Sequence, residues 1–203
     1  MKLIVFGATG KTGQHVWRGA LDLGHEVTAF TRSPDRIDAS AGVRVVQGDV
    51  ADADAVAGAV AGQNGAIVVL GSNGLRDRTT LTSGTSRLVE GMKLHRVERL
   101  VVLSAAGVGD SWDQIPLLSR VMFKTLLRNI HADHTAQEAV VRSSGLDWTI
   151  VRAAVLSDDP PSGDVVATNT GRVTRIGRAD LADFLVREAA EGAYRGQAIS
   201  VTS

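Results

Sequence analysis

The stretch Leu3-Ile4-Val5-Phe6-Gly7-Ala8-Thr9-Gly10-Lys11-Thr12-Gly13 decides how the rest of the chain is read. Four consecutive apolar residues, bounded by a charge before and a glycine after, read as a strand buried on both faces. Glycine then recurs at every third position, and from roughly residue 12 to 23 the apolar residues fall at helical spacing. With the next apolar run, Val27–Phe30, this makes a βαβ unit of about 30 residues. In that setting glycines permit a tight turn and let backbone N–H groups approach an anion. The helix N-terminus adds unpaired donors and a partial positive charge. The spacing is Gly-x-x-Gly-x-x-Gly rather than Gly-x-Gly-x-x-Gly, and no Gly-Lys-Ser/Thr closes the loop at P-loop spacing. Gly7, Thr9, Gly10, Lys11, Thr12 and Gly13 are therefore candidates for holding a dinucleotide pyrophosphate.

Outward from this unit the same alternation continues. Short apolar runs at Val43–Val46, Ala66–Leu70, Leu100–Leu103, Trp148–Val151 and Ala198–Val201 read as further strands. Helical periodicity fills roughly 52–61, 79–94, 117–143 and 179–190. Strand then helix, repeated, predicts a single-domain Rossmann-type fold over residues 1–203: a doubly wound, mainly parallel sheet with helices on both faces. Residues 154–174, with Asp158-Asp159-Pro160-Pro161-Ser162-Gly163, read as a surface loop.

Composition narrows the function. The chain has no cysteine, which excludes disulfide scaffolds, thiolate zinc sites and cysteine nucleophiles. Its 22 basic and 22 acidic residues balance, so a dedicated nucleic-acid binder is not expected. The first apolar run is too short for a signal peptide, and no run approaches the roughly 18 residues of a membrane span. The expectation is a cytoplasmic protein with no membrane partner. No exposed apolar stripe is evident, so a monomer is expected.

The end of the second strand bears on the choice of nucleotide. NAD sites place a carboxylate there for the ribose hydroxyls. This chain has Thr31-Arg32-Ser33, with Arg36 following. A guanidinium binds a 2′-phosphate through two parallel hydrogen bonds, where a carboxylate would repel it. NADP(H) is therefore the expected cofactor, with Arg32 and Arg36 on its phosphate. After the third strand, Gly48-Asp49-Val50 offers a carboxylate for the adenine amino group and Val50 to cover the ring. After the fourth, Leu70-Gly71-Ser72-Asn73 lets backbone pass close to a ribose.

These residues carry a family resemblance. Gly7–Gly13, Arg32, Gly48–Val50, Leu70–Ser72 and Ser104 at a strand end resemble the atypical short-chain dehydrogenase/reductase group. Asp133-His134, Glu138 and Ser144-Gly145-Leu146-Asp147-Trp148-Thr149-Ile150-Val151-Arg152 resemble its NAD(P)H-binding, NmrA-like branch, as does Ile176–Phe184. Among characterised members the flavin reductase/biliverdin-IXβ reductase family is the nearest in pattern. The resemblance implies a nicotinamide near the ends of the fifth and sixth strands, bordered by Leu103, Ser104, Ala153, Ala154 and Val155. Two departures stand out. Relatives commonly have Arg-Pro after the sixth strand, and biliverdin-type enzymes carry a histidine where this chain has Val155.

The chemistry has few candidates. Ordinary short-chain dehydrogenases use a Tyr-x-x-x-Lys pair for proton transfer. The one tyrosine here is Tyr194, followed by Arg195-Gly196-Gln197. Hydride transfer to an acceptor that needs little help, such as a flavin or quinone, fits this absence, with water supplying the proton. Ser104 and His134 are the candidate catalytic residues, and Trp112 is the candidate to stack on a planar substrate. Lys124 and His131 share roughly one helical face with His134, while Asp133 and Glu138 read as orienting the chain or facing solvent. No histidine–carboxylate grouping has metal spacing, and no metal is expected. The alternative is a non-catalytic NADP(H)-sensing regulator of the NmrA-like kind. A nucleotide-sugar epimerase is disfavoured, because only about 50 residues follow the sixth strand.

Overall fold

The computed structural model describes residues 1–72 and 74–203. Its ten strands and six α-helices follow the expected alternation: β1 Lys2–Phe6, α1 Lys11–Asp22, β2 Glu26–Thr31, β3 Arg44–Gln47, α2 Ala53–Val60, β4 Gly65–Val68, α3 Thr80–Leu94, β5 Arg99–Ala105, α4 Leu117–Lys124, α5 Arg128–Arg142, β6 Asp147–Ala153, β7 Val155–Ser157, β8 Val166–Thr168, β9 Arg175–Gly177, α6 Arg178–Glu191 and β10 Gln197–Thr202. Eight strands form one sheet in the order β3-β2-β1-β4-β5-β6-β10-β8. Seven run parallel, and β8 is antiparallel on the edge beside β10.

Alternation along β1 explains why its apolar run is continuous. Leu3 and Val5 pack into one cluster with Val16 and Trp17 of α1 and Leu181 and Leu185 of α6. Ile4 and Phe6 pack into the other with Val56 of α2, Leu88 and Met92 of α3 and Val141 of α5. Both faces of the sheet are thus covered by helices, the arrangement that all-parallel strands require. Strand order reverses between β1 and β4, opening a crevice beyond the carboxyl ends of the strands.

Two expectations are corrected. The helix expected over 117–143 is two helices, broken at residues 125–127. There the Thr125 hydroxyl donates back to the Val121 carbonyl at 2.8 Å, a bond that competes with the backbone ladder. The segment 154–174, expected as a loop, contributes the edge strand β8 and β7, which pairs in parallel with β9 as a separate ribbon. Each of these strands is three residues long, too short for an alternation pattern to show.

Candidate functional site

A cavity of about 320 Å³ lies at the carboxyl edge of the sheet over the β1/β4 crevice. Gly7, Thr9 and Gly10 line it after β1, Thr31 and Arg32 at β2, and Gly48, Asp49, Val50 and Ala51 after β3. Val69, Leu70 and Gly71 after β4 and Thr80 and Ser83 of α3 complete the wall. The volume falls at the small end of the range for ligand sites, ~300–1,000 Å³. It suits the nucleoside half of a dinucleotide.

The glycines divide the work. Gly7 has φ +86°, and a Cβ there would sit 2.4 Å from the Val69 carbonyl oxygen, so β1 and β4 approach closely at the turn. A Cβ on Gly13 would lie 2.1 Å from the Gly7 carbonyl oxygen, so this glycine seats α1 against the loop. Gly10 is different. Its backbone is ordinary extended (φ −69°, ψ 159°) and it lines the cavity; a side chain there would take ligand space. No side chain caps α1, and its first turn holds no carboxylate. The N-terminal donors are left for an anion.

Arg32 Nη1 lies 3.9 Å from Asp49 Oδ2, and both side chains are substantially exposed at the cavity rim. Asp49 also accepts from the Ala51 N–H at 2.9 Å. Arg36 sits on the short 3-10 turn Pro34–Arg36 and is not among the lining residues. The Lys11 ammonium is 2.7 Å from Asp158, which Arg178 at the start of α6 also holds at 2.5 Å. These bonds, that from Lys11 foremost, keep the Asp158 carboxyl below its usual range. Thr12, Gly13 and Ser72 lie beside the cavity in sequence but outside its lining; Asn73 lies outside the described residues.

At the neighbouring strand ends, register pairs Leu103 with Val151, Ser104 with Arg152 and Ala105 with Ala153. The adjacency expected of Leu103, Ser104 and Ala153 is therefore present, with Ala154 and the exposed Val155 directly after. The Ser104 hydroxyl, however, is committed. It is 3% exposed and donates to Glu138 Oε1 at 2.8 Å. Glu138 takes a two-point contact from Arg152, Nε at 2.9 Å and Nη2 at 2.7 Å. Arg152 reaches on to Asp110 at 2.5 Å. That hydrogen bond holds the Asp110 carboxyl below its ordinary range. Burial opposes the charge on Arg152, but Glu138 and Asp110 overcome it and raise its pKa. Ser104 thus belongs to a buried network tying β5, α5, β6 and the loop 106–116.

His134, the other candidate, is engaged as well. Its Nδ1 lies 3.2 Å from Gln137 Oε1, and Gln137 donates to Thr85 of α3. The ring therefore leans on the side chain that ties α5 to α3, and burial pushes its pKa down, favouring the neutral imidazole. Asp133 does not face solvent. Its carboxylate accepts from the N–H groups of Leu81 and Thr82 at 2.9 and 3.0 Å, capping α3 from a neighbouring helix. Trp112 anchors its own loop: it packs on the small cluster of Ala106, Ile115 and Val173. His131 meets its ring edge-on at 5.7 Å, and the Lys124 ammonium stands 5.5 Å over it. Tyr194 lies before β10, at the opposite end of the sheet, where its N–H donates to Glu188. Missed by the sequence reading were Phe30, Ala51, Val69, Thr80 and Ser83 in the cavity wall. The two helix residues had a signal, since both open α3 directly after the fourth strand's loop.

Among the described residues no cluster of three or more His, Asp or Glu side chains is placed to hold a metal ion. Nor is any helix long and apolar enough to cross a membrane.

Comparison with known proteins places this geometry. The profile of the NAD(P)H-binding family matches residues 7–191. An uncharacterised chloroplastic protein of Arabidopsis thaliana is 28% identical over 181 residues, covering 81% of this chain and 62% of its own length. Among solved structures, the anaerobilin reductase ChuY of Escherichia coli O157:H7 superposes with a TM-score of 0.85 at 25% identity, covering 100% of this chain and 97% of that one. A short-chain dehydrogenase/reductase of Veillonella parvula, solved with NADP, gives a TM-score of 0.82 at 19% identity, covering 100% and 94%. The cavity at the strand-order reversal, the uncapped helix behind its glycine loop and the matched profile agree: this chain belongs to the NAD(P)H-binding family.

Proposed function

We propose that the chain is an NADPH-dependent reductase that passes hydride to a flat, conjugated acceptor such as a flavin or a quinone. The observation that carries this reading is Arg32 at the rim of the cavity, at the end of β2, where an NAD site would present a carboxylate. Arg32, joined by Arg36 from the next turn, would hold the 2′-phosphate. Asp49 and Val50 would face the adenine, Leu70, Gly71 and Ser72 the ribose, and the Gly7–Gly13 loop the pyrophosphate. The residues present fit this group, because Gly10 lines the cavity without a side chain and α1 leaves its donors uncapped.

Bound there, the reduced nicotinamide supplies a hydride. The chain's own contribution is alignment: Leu103, Ser104, Ala153, Ala154 and Val155 border the ring position, and the Ser104–Glu138–Arg152 network fixes the strand ends that carry them. With the Ser104 proton given to Glu138, His134 turned into the helix contact and Tyr194 at the far end, no fixed acid named above serves a ketone. An acceptor that takes hydride directly and its proton from water suits such a site. ChuY, a reductase of anaerobilin by its name, makes a linear tetrapyrrole a further acceptor to include.

The test is NADPH oxidation with FMN, riboflavin, a simple quinone and a linear tetrapyrrole, run against the uncatalysed background. Turnover on one of these supports the reductase reading. Tight NADPH binding without turnover on any would replace it with the dinucleotide-sensing alternative, for which the committed Ser104 hydroxyl is equally suited.

A further inference from the structure

Helix α4 turns outward what a core element would hide. Leu117 and Leu118 are 74% and 73% exposed, and Val121, Met122 and Leu126 are exposed as well. Positions 117, 118, 121 and 122 share one helical face, while Phe123 on the other packs beneath the loop near Ile115 and His131. These five residues are nearly half of the eleven exposed large hydrophobics among the described residues. This is a concentrated patch, which marks an interaction surface, rather than the scatter normal for any protein. Leu75, also exposed, lies alongside, its carbonyl accepting from Asn129 at 3.0 Å. The expectation of no apolar stripe is therefore overturned.

The charge around the patch is predominantly positive. From Gln114 to Ala132 there is no carboxylate, but Arg120, Lys124 and Arg128 are present. Arg76 and Arg78, both exposed, follow Leu75 in the chain. The nearby carboxylates are outnumbered: Asp77, which accepts from the Thr79 and Thr80 N–H groups, and Asp113, which pairs with Arg120 at 3.1 Å, offset part of this charge and leave an excess of cations. On a chain of zero net charge this is a local positive rim. Two copies meeting through it would bring like charges together, so the rim selects an anionic partner over a second copy. The exposed face itself carries Leu, Val and Met with no Tyr or Trp, the residues that dominate protein–protein hot spots. Aliphatic side chains bordered by Lys and Arg on a short amphipathic helix match the pattern of interfacial membrane binding.

We propose that α4, with Leu75 and Leu126 beside it, docks this protein on an anionic lipid surface, the apolar face entering the headgroup boundary and the arginines meeting lipid phosphates. The loop carrying Trp112 would then face the bilayer. Resting on the reductase reading, this makes the acceptor a lipid-dissolved quinone.

The test is flotation of the full chain with vesicles of equal phosphatidylglycerol and phosphatidylcholine, against phosphatidylcholine alone. The wild type is expected to float with the anionic vesicles only. The bound fraction should fall at least tenfold in Leu118→Asp/Val121→Asp, and severalfold in Arg76→Glu/Arg128→Glu or on raising salt from about 50 to about 500 mM. Each variant should titrate with NADPH as the wild type does, which shows that it is folded. Failure of the wild type to float at low salt overturns the proposal. So does a concentration-dependent dimer that Leu118→Asp/Val121→Asp abolishes, since a second copy would then own the face. Flotation without NADPH binding by the wild type would refute the reductase reading and leave the docking intact.

Discussion

Two glycines of the first loop answer to different physics, and substitutions separate them. Gly10 has a backbone any residue adopts, and a Cβ there meets the Gly7 carbonyl oxygen at 3.2 Å, so Gly10→Leu is expected to cost much less stability than a Gly13 substitution and to lose dinucleotide binding, read by thermal unfolding and titration together. Gly13→Ala drives a methyl to within 2.1 Å of the Gly7 carbonyl oxygen. It should destabilise by about 1–3 kcal/mol, the usual cost of overpacking. The reverse pattern would mean that the loop does not cradle a ligand. His134 offers a pH test. Burial lowers its folded pKa, so below about 6.5 the unfolded chain binds a proton that the native chain does not. The stability from this site is then present above that pH and is lost as pH falls. His134→Asn should flatten the decline in unfolding free energy between about pH 7.5 and 5.5 by up to one proton's slope. An unchanged slope would contradict the burial. The sequence showed which residue types stand here but not their partners. Nothing in the string Asp133-His134 announces that one caps the neighbouring α3 and the other leans on Gln137 of its own helix, because the first contact is made across helices and the second depends on how Gln137 is held against α3.

Among the elements, strands were legible where burial imposed a continuous apolar run and helices where period was long enough to show. Arg99–Ala105 and Asp147–Ala153 were read to within two residues at either end. The break in the helix after β5 was invisible, because Leu, Val and Met at 117–127 keep helical spacing whichever way they face. The pieces β7, β8 and β9 were missed for want of length. The join between elements is held by a buried ion pair the sequence does not reveal: Arg152, 2% exposed, against Glu138. Removing one partner of such a pair strands the other charge and typically costs about 3–5 kcal/mol. Glu138→Ala is expected to lose that much in denaturant unfolding and to loosen the loop 106–116 through Asp110, read as faster amide exchange there. A loss below about 1 kcal/mol, the level of a surface pair, would mean that the network does not hold the strand ends.

For the molecule as a whole, the strand order carries the argument. The reversal between β1 and β4 gathers the ends of four strands around one cavity, and the sequence predicted this because each loop after those strands was small or charged. What the sequence could not show is the outward face of α4, since exposure depends on where neighbouring elements stop. Everything functional rests on the cavity's taking NADP(H) through Arg32. The most direct measurement is a calorimetric titration of the wild type and Arg32→Ala with NADPH and with NADH. The expected result is tighter binding of NADPH by the wild type, and a selective loss in Arg32→Ala of about tenfold or more for NADPH, from a charge-assisted contact of about 1.5–3 kcal/mol, with NADH nearly unchanged. Equal weakening of both, or no preference in the wild type, would contradict the assignment of the 2′-phosphate to Arg32.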